Sequence, residues 1–330
     1  MLQKHYGYDI IKADTFKKRI NAMKTVFIIN PKSGQGKRVD EFISAVKETI
    51  EKMGADAEVY ITKAIGDAKT YVHDYCEDNG PSRFIACGGD GTLNEVLNGA
   101  IEFPDTEIGV VPMGTGNDFC RNFKDCDFKN IEKQITGNTG KCDAIKYTAE
   151  YRDIKREGYC VNMFNIGFDC NVADTAADMK NKPFVSGSMA YFLSILVTLV
   201  EKKCSDLKIE LDGQEVHNGK TLLSSVANGN YCGGGIKSNP LASVTDGLIN
   251  INIIKNISRA RFISLLPSYM KGTVLENKMA KGFVISPKCK KVTITPNSGD
   301  IRICVDGEII SAGKTEFEII HNAFNFVLPN

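Results

Sequence analysis

The stretch Gly88-Gly-Asp-Gly-Thr-Leu-Asn-Glu95 sets one carboxylate, Asp90, among three glycines, directly after the apolar run Phe84-Ile-Ala-Cys87. That run reads as the end of a buried strand. Without Cβ atoms the glycines let the backbone turn sharply and let a large anion approach its amides. Thr92 and Glu95 stand three apart, the spacing of an N-terminal capping box, and Leu93, Val96 and Leu97 follow with helical periodicity. The free N–H groups and positive dipole end of a helix N-terminus suit phosphate. Asp90 stands where a carboxylate can hold Mg²⁺ or take a proton, so the chemistry suggested is phosphoryl transfer.

Two more glycine-rich turns follow apolar runs in the first half. Asn30-Pro-Lys-Ser-Gly-Gln-Gly-Lys37 lacks the Gly-x-x-x-x-Gly-Lys-Ser/Thr spacing of a P-loop, yet offers backbone amides, the Ser33 hydroxyl and a nearby cation. Gly114-Thr-Gly-Asn-Asp118 follows Val110-Val-Pro112 after the single residue Met113. One such turn alone is commonly a tight connection. Three in succession, each at the carboxyl end of a strand, would line one edge of a parallel sheet and converge on one nucleotide.

The elements that must position these turns alternate. Val26–Asn30, Ala57–Thr62, Phe84–Cys87 and residues 108–111 read as strands; Val39–Met53, Asp67–Glu77 and residues 93–101 read as helices. This pattern predicts an α/β domain with an open, mostly parallel sheet. Past about residue 140 short β-rich runs dominate: Tyr159–Ile166, Lys208–Leu211, Thr221–Ala227, Leu248–Ile254, Lys291–Thr295 and Ile301–Val305. Asp212-Gly213, Asp246-Gly247 and Asp306-Gly307 punctuate them, and helices are expected near 187–203 and 258–271. The second half therefore predicts a β-rich sandwich. The expected division is an N-terminal extension over 1–22, an α/β nucleotide-binding domain over 23–145 and a β-rich substrate domain over 146–315, with 316–330 packing back on the first.

Composition narrows the partners. The 330 residues carry a net charge of +1, which gives no electrostatic argument for nucleic acid. Eleven cysteines without a Cys-x-x-Cys pair, and four scattered histidines, argue for buried thiols in a reducing cytoplasm rather than for disulfides or zinc. Residues 1–22 are charged and lack the apolar core of a signal peptide. The longest apolar stretch, Met189–Val200, is short of the roughly 20 residues a membrane span needs. The expectation is a cytoplasmic protein peripheral to the inner face of the membrane, with a dimer the assembly to be considered.

Taken together, Asn30-Pro-Lys-Ser-Gly34, Gly88-Gly-Asp-Gly-Thr-Leu-Asn-Glu-Val-Leu-Asn-Gly99 and Gly114-Thr-Gly-Asn-Asp-Phe-Cys-Arg121 resemble the diacylglycerol kinase catalytic-domain family, which includes bacterial soluble diacylglycerol kinases and sphingosine kinases. The resemblance continues through Asn165-Ile-Gly-Phe-Asp-Cys170, Ala227-Asn-Gly-Asn-Tyr-Cys-Gly-Gly-Gly235, Pro240-Leu-Ala with Asp246-Gly, and Val305-Asp-Gly-Glu308. It covers roughly residues 24–330. Gly-Gly-Asp-Gly-Thr by itself is shared with NAD kinases and resembles phosphofructokinases, and the fold implied is of that type.

The resemblance implies an ATP- and Mg²⁺-dependent kinase acting on a lipid hydroxyl, with diacylglycerol the first candidate and phosphatidic acid its product. It carries nucleotide contacts to Asn30, Pro31, Lys32, Ser33 and Gly34, to Thr62, to Gly88, Gly89, Asp90, Gly91, Thr92, Leu93 and Asn94, and to Thr115. Bacterial relatives imply Glu308 as proton acceptor with Asp306 supporting it, whereas sphingosine-kinase-like members place the base at Asp90; both assignments stand. A further Mg²⁺ position is implied at Ser243, Asp246 and Leu248, beside the metal role of Asp90. The apolar segment Ser186–Val200, with Phe184 and Tyr191, reads as a core helix or as the lining of an acyl-chain route. Other lipid alcohols (sphingoid base, ceramide, phosphatidylglycerol, polyprenol), an NAD kinase-like soluble substrate, and a nucleotide-binding regulator without catalysis are the alternatives.

Overall fold

A computed structural model describes residues 23–36, 39–167, 204–306 and 308–330. The expectations for residues 1–22 and for helix 187–203, with its Phe184 and Tyr191, lie outside the described residues. The chain divides into two compact units. The first comprises the described residues up to Gly114, then Asp125–Gly140 and Phe324–Asn330; the second comprises Thr115–Lys124 and Lys141–Ala323.

In the first unit, β1 (Thr25–Ile29), β2 (Ala57–Ile61), β3 (Arg83–Gly88) and β4 (Glu107–Pro112) alternate with α1 (Val39–Met53), α2 (Asp67–Asn79) and α3 (Asp90–Ala100). All are paired in parallel in the order β2-β1-β3-β4. Asn325 and Phe326, from the end of the last strand of the chain, add a further parallel pairing to Glu107 and Ile108 of β4. Every residue of β1 and of β3 is buried, as strands covered on both faces must be. Phe27, Ile29, Ile85, Cys87 and Val111 pack with Val39 and Val46 of α1. Because β2 and β3 lie on opposite sides of β1, the direction of winding reverses between β1 and β3. Such a reversal opens a crevice beyond the carboxyl ends of those two strands.

A buried cation closes this unit at the other end of the sheet. Arg83 Nε donates to Glu107 at 2.7 Å, and its guanidinium also donates to the carbonyls of Gln134, Ile135 and Gly137 at the end of the short helix α4 (Ile131–Thr136). Charge and orphaned helix carbonyls are thus satisfied together.

The second unit is antiparallel. The hairpin of β8 (Ser205–Leu211) and β9 (Gln214–Ala227) turns at Asp212-Gly213, both left-handed with φ of 49° and 82°. β9 also pairs with β7 (Met163–Gly167) and β10 (Ile249–Lys255). β7 pairs in turn with β14 (Ile301–Val305), which forms a hairpin with β15 (Glu308–Ala312). On the other side β8 pairs with β13 (Lys291–Pro296), and β13 with Thr315–Glu318 of β16 (Thr315–Leu328). β5 (Asn138–Tyr151) and β6 (Ile154–Cys160) form a further hairpin. Two short strands, β11 (Val284–Ile285) and β12 (Lys288–Cys289), edge β10, and α5 (Arg259–Lys271) follows it.

The run Tyr159–Ile166, expected as one strand, is two. It breaks at Val161-Asn162, where the N–H groups of Val161 and Met163 donate to the Asp306 carboxylate at 3.0 and 3.1 Å instead of to a neighbouring strand. β15 and β16 add two strands to those expected, and Thr315, Phe317 and Ile319 at the start of β16 alternate inward.

Candidate functional site

The carboxyl ends of β1 and β3 meet in the first unit through side chains. Asn30 Nδ2 donates to Thr92 Oγ1 at 3.1 Å, while Asn30 Oδ1 accepts the N–H of Lys32 at 3.0 Å. One amide therefore joins the turn after β1 to the first turn of α3 and shapes the Pro31-Lys32 bend.

Gly88 makes this possible. A Cβ there would lie 2.3 Å from Thr92 Oγ1, so a larger residue would drive Thr92 off Asn30. The Gly88 carbonyl accepts the N–H groups of Met113 and Gly114 at 2.8 and 3.3 Å, fixing the third turn beside the second. Gly34, left-handed at φ 61°, brings the first turn against the Met113 carbonyl, 3.0 Å from where its Cβ would stand. All three turns up to Gly114 thus adjoin at the crevice.

The capping box expected from Thr92 and Glu95 does not form. The N-cap is Gly89, with extended backbone and no side-chain cap, and α3 begins at Asp90. Gly89, having no side chain, offers no cap to the first turn of α3, and a glycine-rich helix N-terminus of this kind suits phosphate. A Cβ at Gly91 would meet nothing within 4 Å, so an anion could approach the backbone there.

Glu95 works elsewhere. Its carboxylate accepts the N–H groups of Gly66 and Ala68 at 3.0 and 3.2 Å. Asp67 accepts the Tyr60 hydroxyl and, at 2.7 Å, the N–H of Lys63. These two carboxylates hold the loop between β2 and α2 as one wall of a cleft of about 230 Å³ lined by Asn30, Pro31, Lys32, Thr62, Lys63, Ala64, Ile65, Ala68, Thr92 and Glu95. Thr62 lies in the cleft as expected, and Lys32 and Lys63 add cations to it. Glu95 sits inside the Gly88–Gly99 motif, but its sequence spacing pointed to its own helix and not across to the loop.

Asp90, half-buried at the first position of α3, supplies one carboxylate beside the helix amides. Mg²⁺ in kinases is commonly held by one or two carboxylates together with substrate phosphates, so this donor set fits such an ion. Among the described residues, the group that brings three His, Cys, Asp or Glu ligand atoms together is His73, Asp74 and Glu77 on α2, away from these turns in the sequence.

Within the second unit, Thr115 opens the segment that meets the loop Ala227–Gly235. Asp118 accepts the N–H of Gly234 through both oxygens, at 3.1 and 2.9 Å, and Asn122 Oδ1 accepts that of Asn230 at 2.9 Å. Asp306, left-handed at φ 44°, holds β6 and β7 through the two amide contacts described above. Burial, and after it the charge and hydrogen bond of the Asp306 carboxylate, push the Cys160 thiol well up from its ordinary range. The backbone of Glu308 pairs with Val305 at the start of β15.

At the second implied metal position the arrangement does not fit an open oxygen cage. Asp246 Oδ1 accepts the N–H of Leu248 at 3.1 Å, and Oδ2 is paired with the Lys288 ammonium at 2.5 Å. Ser243 Oγ lies 3.4 Å from the Thr245 hydroxyl. An ammonium stands where the resemblance implies a metal ion. The neighbouring Asp143 carboxylate, fully buried, accepts the N–H groups of Gly247 and Asn322 at 2.7 and 2.8 Å and bonds His321 Nδ1 at 2.8 Å.

A parallel sheet whose winding reverses at an uncapped, glycine-rich helix N-terminus, joined in one chain to a β-rich unit, defines a phosphate-handling α/β protein of the kinase class. Residues 24–147 match the diacylglycerol kinase catalytic domain, and residues 162–328 match the YegS C-terminal NAD kinase beta sandwich-like domain. A diacylglycerol kinase of Staphylococcus aureus (strain MRSA252) is 32% identical over 307 residues, covering 92% of this chain and 91% of that protein. The same figures hold for that of strain bovine RF122 / ET3-1. A crystal structure of a diacylglycerol kinase from Bacillus anthracis str. Sterne superposes with a TM-score of 0.65 at 20% identity, covering 92% of this chain and 96% of that one, and shares the fold. The chain belongs to the diacylglycerol kinase family. Kinase chemistry with a nucleotide co-substrate goes with that membership. Among the described residues no helix is long and apolar enough to cross a membrane.

Proposed function

We propose that this chain is an ATP- and Mg²⁺-dependent lipid kinase that transfers the γ-phosphoryl group to the hydroxyl of diacylglycerol at a membrane surface. The observation that carries the reading is the Asn30–Thr92 bond across the carboxyl ends of β1 and β3, which sets the uncapped amides of α3 beside Asp90. In this role the Gly88–Thr92 backbone and Lys32 bind and orient phosphate, and the loop pinned by Glu95 holds the rest of the nucleotide. Asp90 would hold Mg²⁺ together with phosphate, and the bound ion would supply neutralisation of the charge on the transferring group. The lipid oxygen forms a bond to the γ-phosphorus as the bond from that phosphorus to the bridging β–γ oxygen breaks. The hydroxyl proton passes to a carboxylate, Glu308 or Asp90; the contacts that occupy Asp306 make it the support of this turn rather than the acceptor.

Diacylglycerol is preferred among lipid alcohols because the relatives that match over nine-tenths of the chain bear that name. Radiolabelled ATP incubated with diacylglycerol, sphingosine, ceramide, phosphatidylglycerol, a polyprenol and NAD tests the reading. Label in phosphatidic acid supports it. Label only in another acceptor reassigns the substrate, and nucleotide binding without transfer to any acceptor points to a regulator.

A further inference from the structure

The chain as a whole is nearly neutral, but its charge is unevenly placed. Between Lys255 and Lys281 stand six cations (Lys255, Arg259, Arg261, Lys271, Lys278 and Lys281) and one acid, Glu276. This segment forms α5 and the two short 3-10 turns Val274–Glu276 and Lys278–Ala280, all within the second unit. Phe262, Leu265, Leu266 and Tyr269 of α5 are buried with Val274 and Ala280. The opposite side is exposed: Arg259, Ile263, Pro267 and Lys271 follow at four-residue steps and so share one stripe of the helix.

Two features set this face apart from an ordinary solvated surface. Ile263, Leu275 and Met279 are 53%, 40% and 51% exposed, three of the eight exposed large hydrophobic side chains among the described residues. In addition, α5 carries Arg259 and Arg261 but no acid in its first turn, against the preference of a helix dipole. Arg261 is stacked on the Phe283 ring, 4.4 Å from its centroid, and the remaining cations, interleaved with outward apolar side chains, match a surface that is anionic outside and apolar just beneath.

We propose that the outer face of α5 and the two turns after it docks on an anionic lipid bilayer. Ile263, Leu275 and Met279 enter the headgroup boundary while Lys271, Lys278 and Lys281 meet lipid phosphates. The inference gives the lipid-kinase reading a place of contact, and its test does not require turnover.

The full chain, without ATP or acceptor lipid, is sedimented with vesicles of phosphatidylcholine alone or of phosphatidylcholine with phosphatidylglycerol. Binding to the anionic vesicles that weakens as salt rises is expected. The variant K271Q/K278Q/K281Q should lose partitioning on the order of a hundredfold, and I263S/L275S/M279S should leave a weaker, wholly salt-sensitive association. These exposed positions should leave the thermal melt of both variants near that of the wild type. Equal binding by the wild type and the lysine variant, or no binding by either, overturns the proposal. So does a wild-type dimer, seen by sedimentation velocity without vesicles, that the lysine variant dissociates, since the face would then join two copies of this chain. A protein that docks but phosphorylates no lipid leaves the docking inference standing and sinks the kinase reading. One that phosphorylates diacylglycerol in neutral micelles yet ignores anionic vesicles does the reverse.

Discussion

Asn30 Nδ2 lies 3.1 Å from Thr92 Oγ1, and this one bond ties the turn after β1 to the first turn of α3. The two residues are 62 positions apart in the chain, so the contact belongs to the fold and not to either motif. Both side chains serve geometry: Asn30 also holds the N–H of Lys32, and Thr92 is nearly buried. Replacing Thr92 by Val keeps the volume and removes the acceptor. T92V and N30A should each lower kcat/KM for ATP about 10–100-fold, the equivalent of about 1–3 kcal/mol for a buried donor or acceptor left unsatisfied. Steady-state kinetics with a circular dichroism control checks this, and unchanged kinetics in both variants would remove the bond from the account of the site.

Glu95 both lines the cleft and grips the loop that forms its wall. Without its acceptor oxygens the Gly66 and Ala68 amides lose their charged partner, and the cleft wall carrying Thr62 and Ile65 is released. E95A should raise KM for ATP about tenfold or more, the range for hydrogen bonds to a charged group, and leave kcat nearly unchanged. E95Q keeps one acceptor oxygen and should fall between. A loss in kcat at constant KM would instead place Glu95 in the chemical step.

Much of this was legible beforehand because it is local. β1, α1 and α5 follow from continuous apolar runs or from helical periodicity, and the strand ends that carry the glycine turns follow with them. The contacts that complete the site were not legible. Thr92 and Glu95 satisfy the spacing of a capping box, yet Gly89 takes the N-cap, because Asn30 and the amides of residues 66 and 68 compete successfully for both side chains. The family resemblance implies only a supporting carboxylate at Asp306; its hold on the Val161 and Met163 amides, across some 140 residues, is visible only after β14 pairs with β7. Long-range register decides such contacts, and no short window of sequence contains it.

The roles proposed for Asp90 and Glu308 can be separated by substitution. D90N should abolish phosphoryl transfer and weaken the Mg²⁺ dependence of ATP binding, since a carboxylate beside phosphate is lost from the α3 terminus. E308Q should abolish transfer while ATP still binds with its normal Mg²⁺ dependence. Calorimetric titration of ATP with and without Mg²⁺, run beside a diacylglycerol kinase assay, reads both. Full activity of E308Q with an inactive D90N would assign the base to Asp90.

The Asp246–Lys288 pair decides whether the second unit uses a metal. An exposed ion pair contributes about 0–1 kcal/mol, so K288M should lower the melting temperature only slightly. It should, however, open Asp246 Oδ2. The wild type without nucleotide is expected to melt at the same temperature with Mg²⁺ or with chelator, whereas K288M gains stability as Mg²⁺ is added. A Mg²⁺-dependent melt already present in the wild type would show that the ion displaces the ammonium.

Buried thiols are expected to make the fold sensitive to alkaline pH. Burial pushes Cys142 and Cys289 each up to about 12, with the nearby carboxylates of Asp143 and Asp212 adding to the effect. In the unfolded chain both titrate near the ordinary thiol value of about 8.5. The sign follows from proton counts. Between those values the unfolded state has released protons that the folded state keeps, so stability is full below about pH 8.5 and falls as pH rises toward 12. The loss approaches about 1.4 kcal/mol per pH unit for each thiol. Urea midpoints should therefore hold steady from pH 7 to about 8.5 and drop measurably by pH 10. The C142A/C289A variant, less stable at neutral pH because it loses buried sulfur, should show the shallower decline. A decline as steep in that variant as in the wild type would place the alkaline sensitivity in other groups.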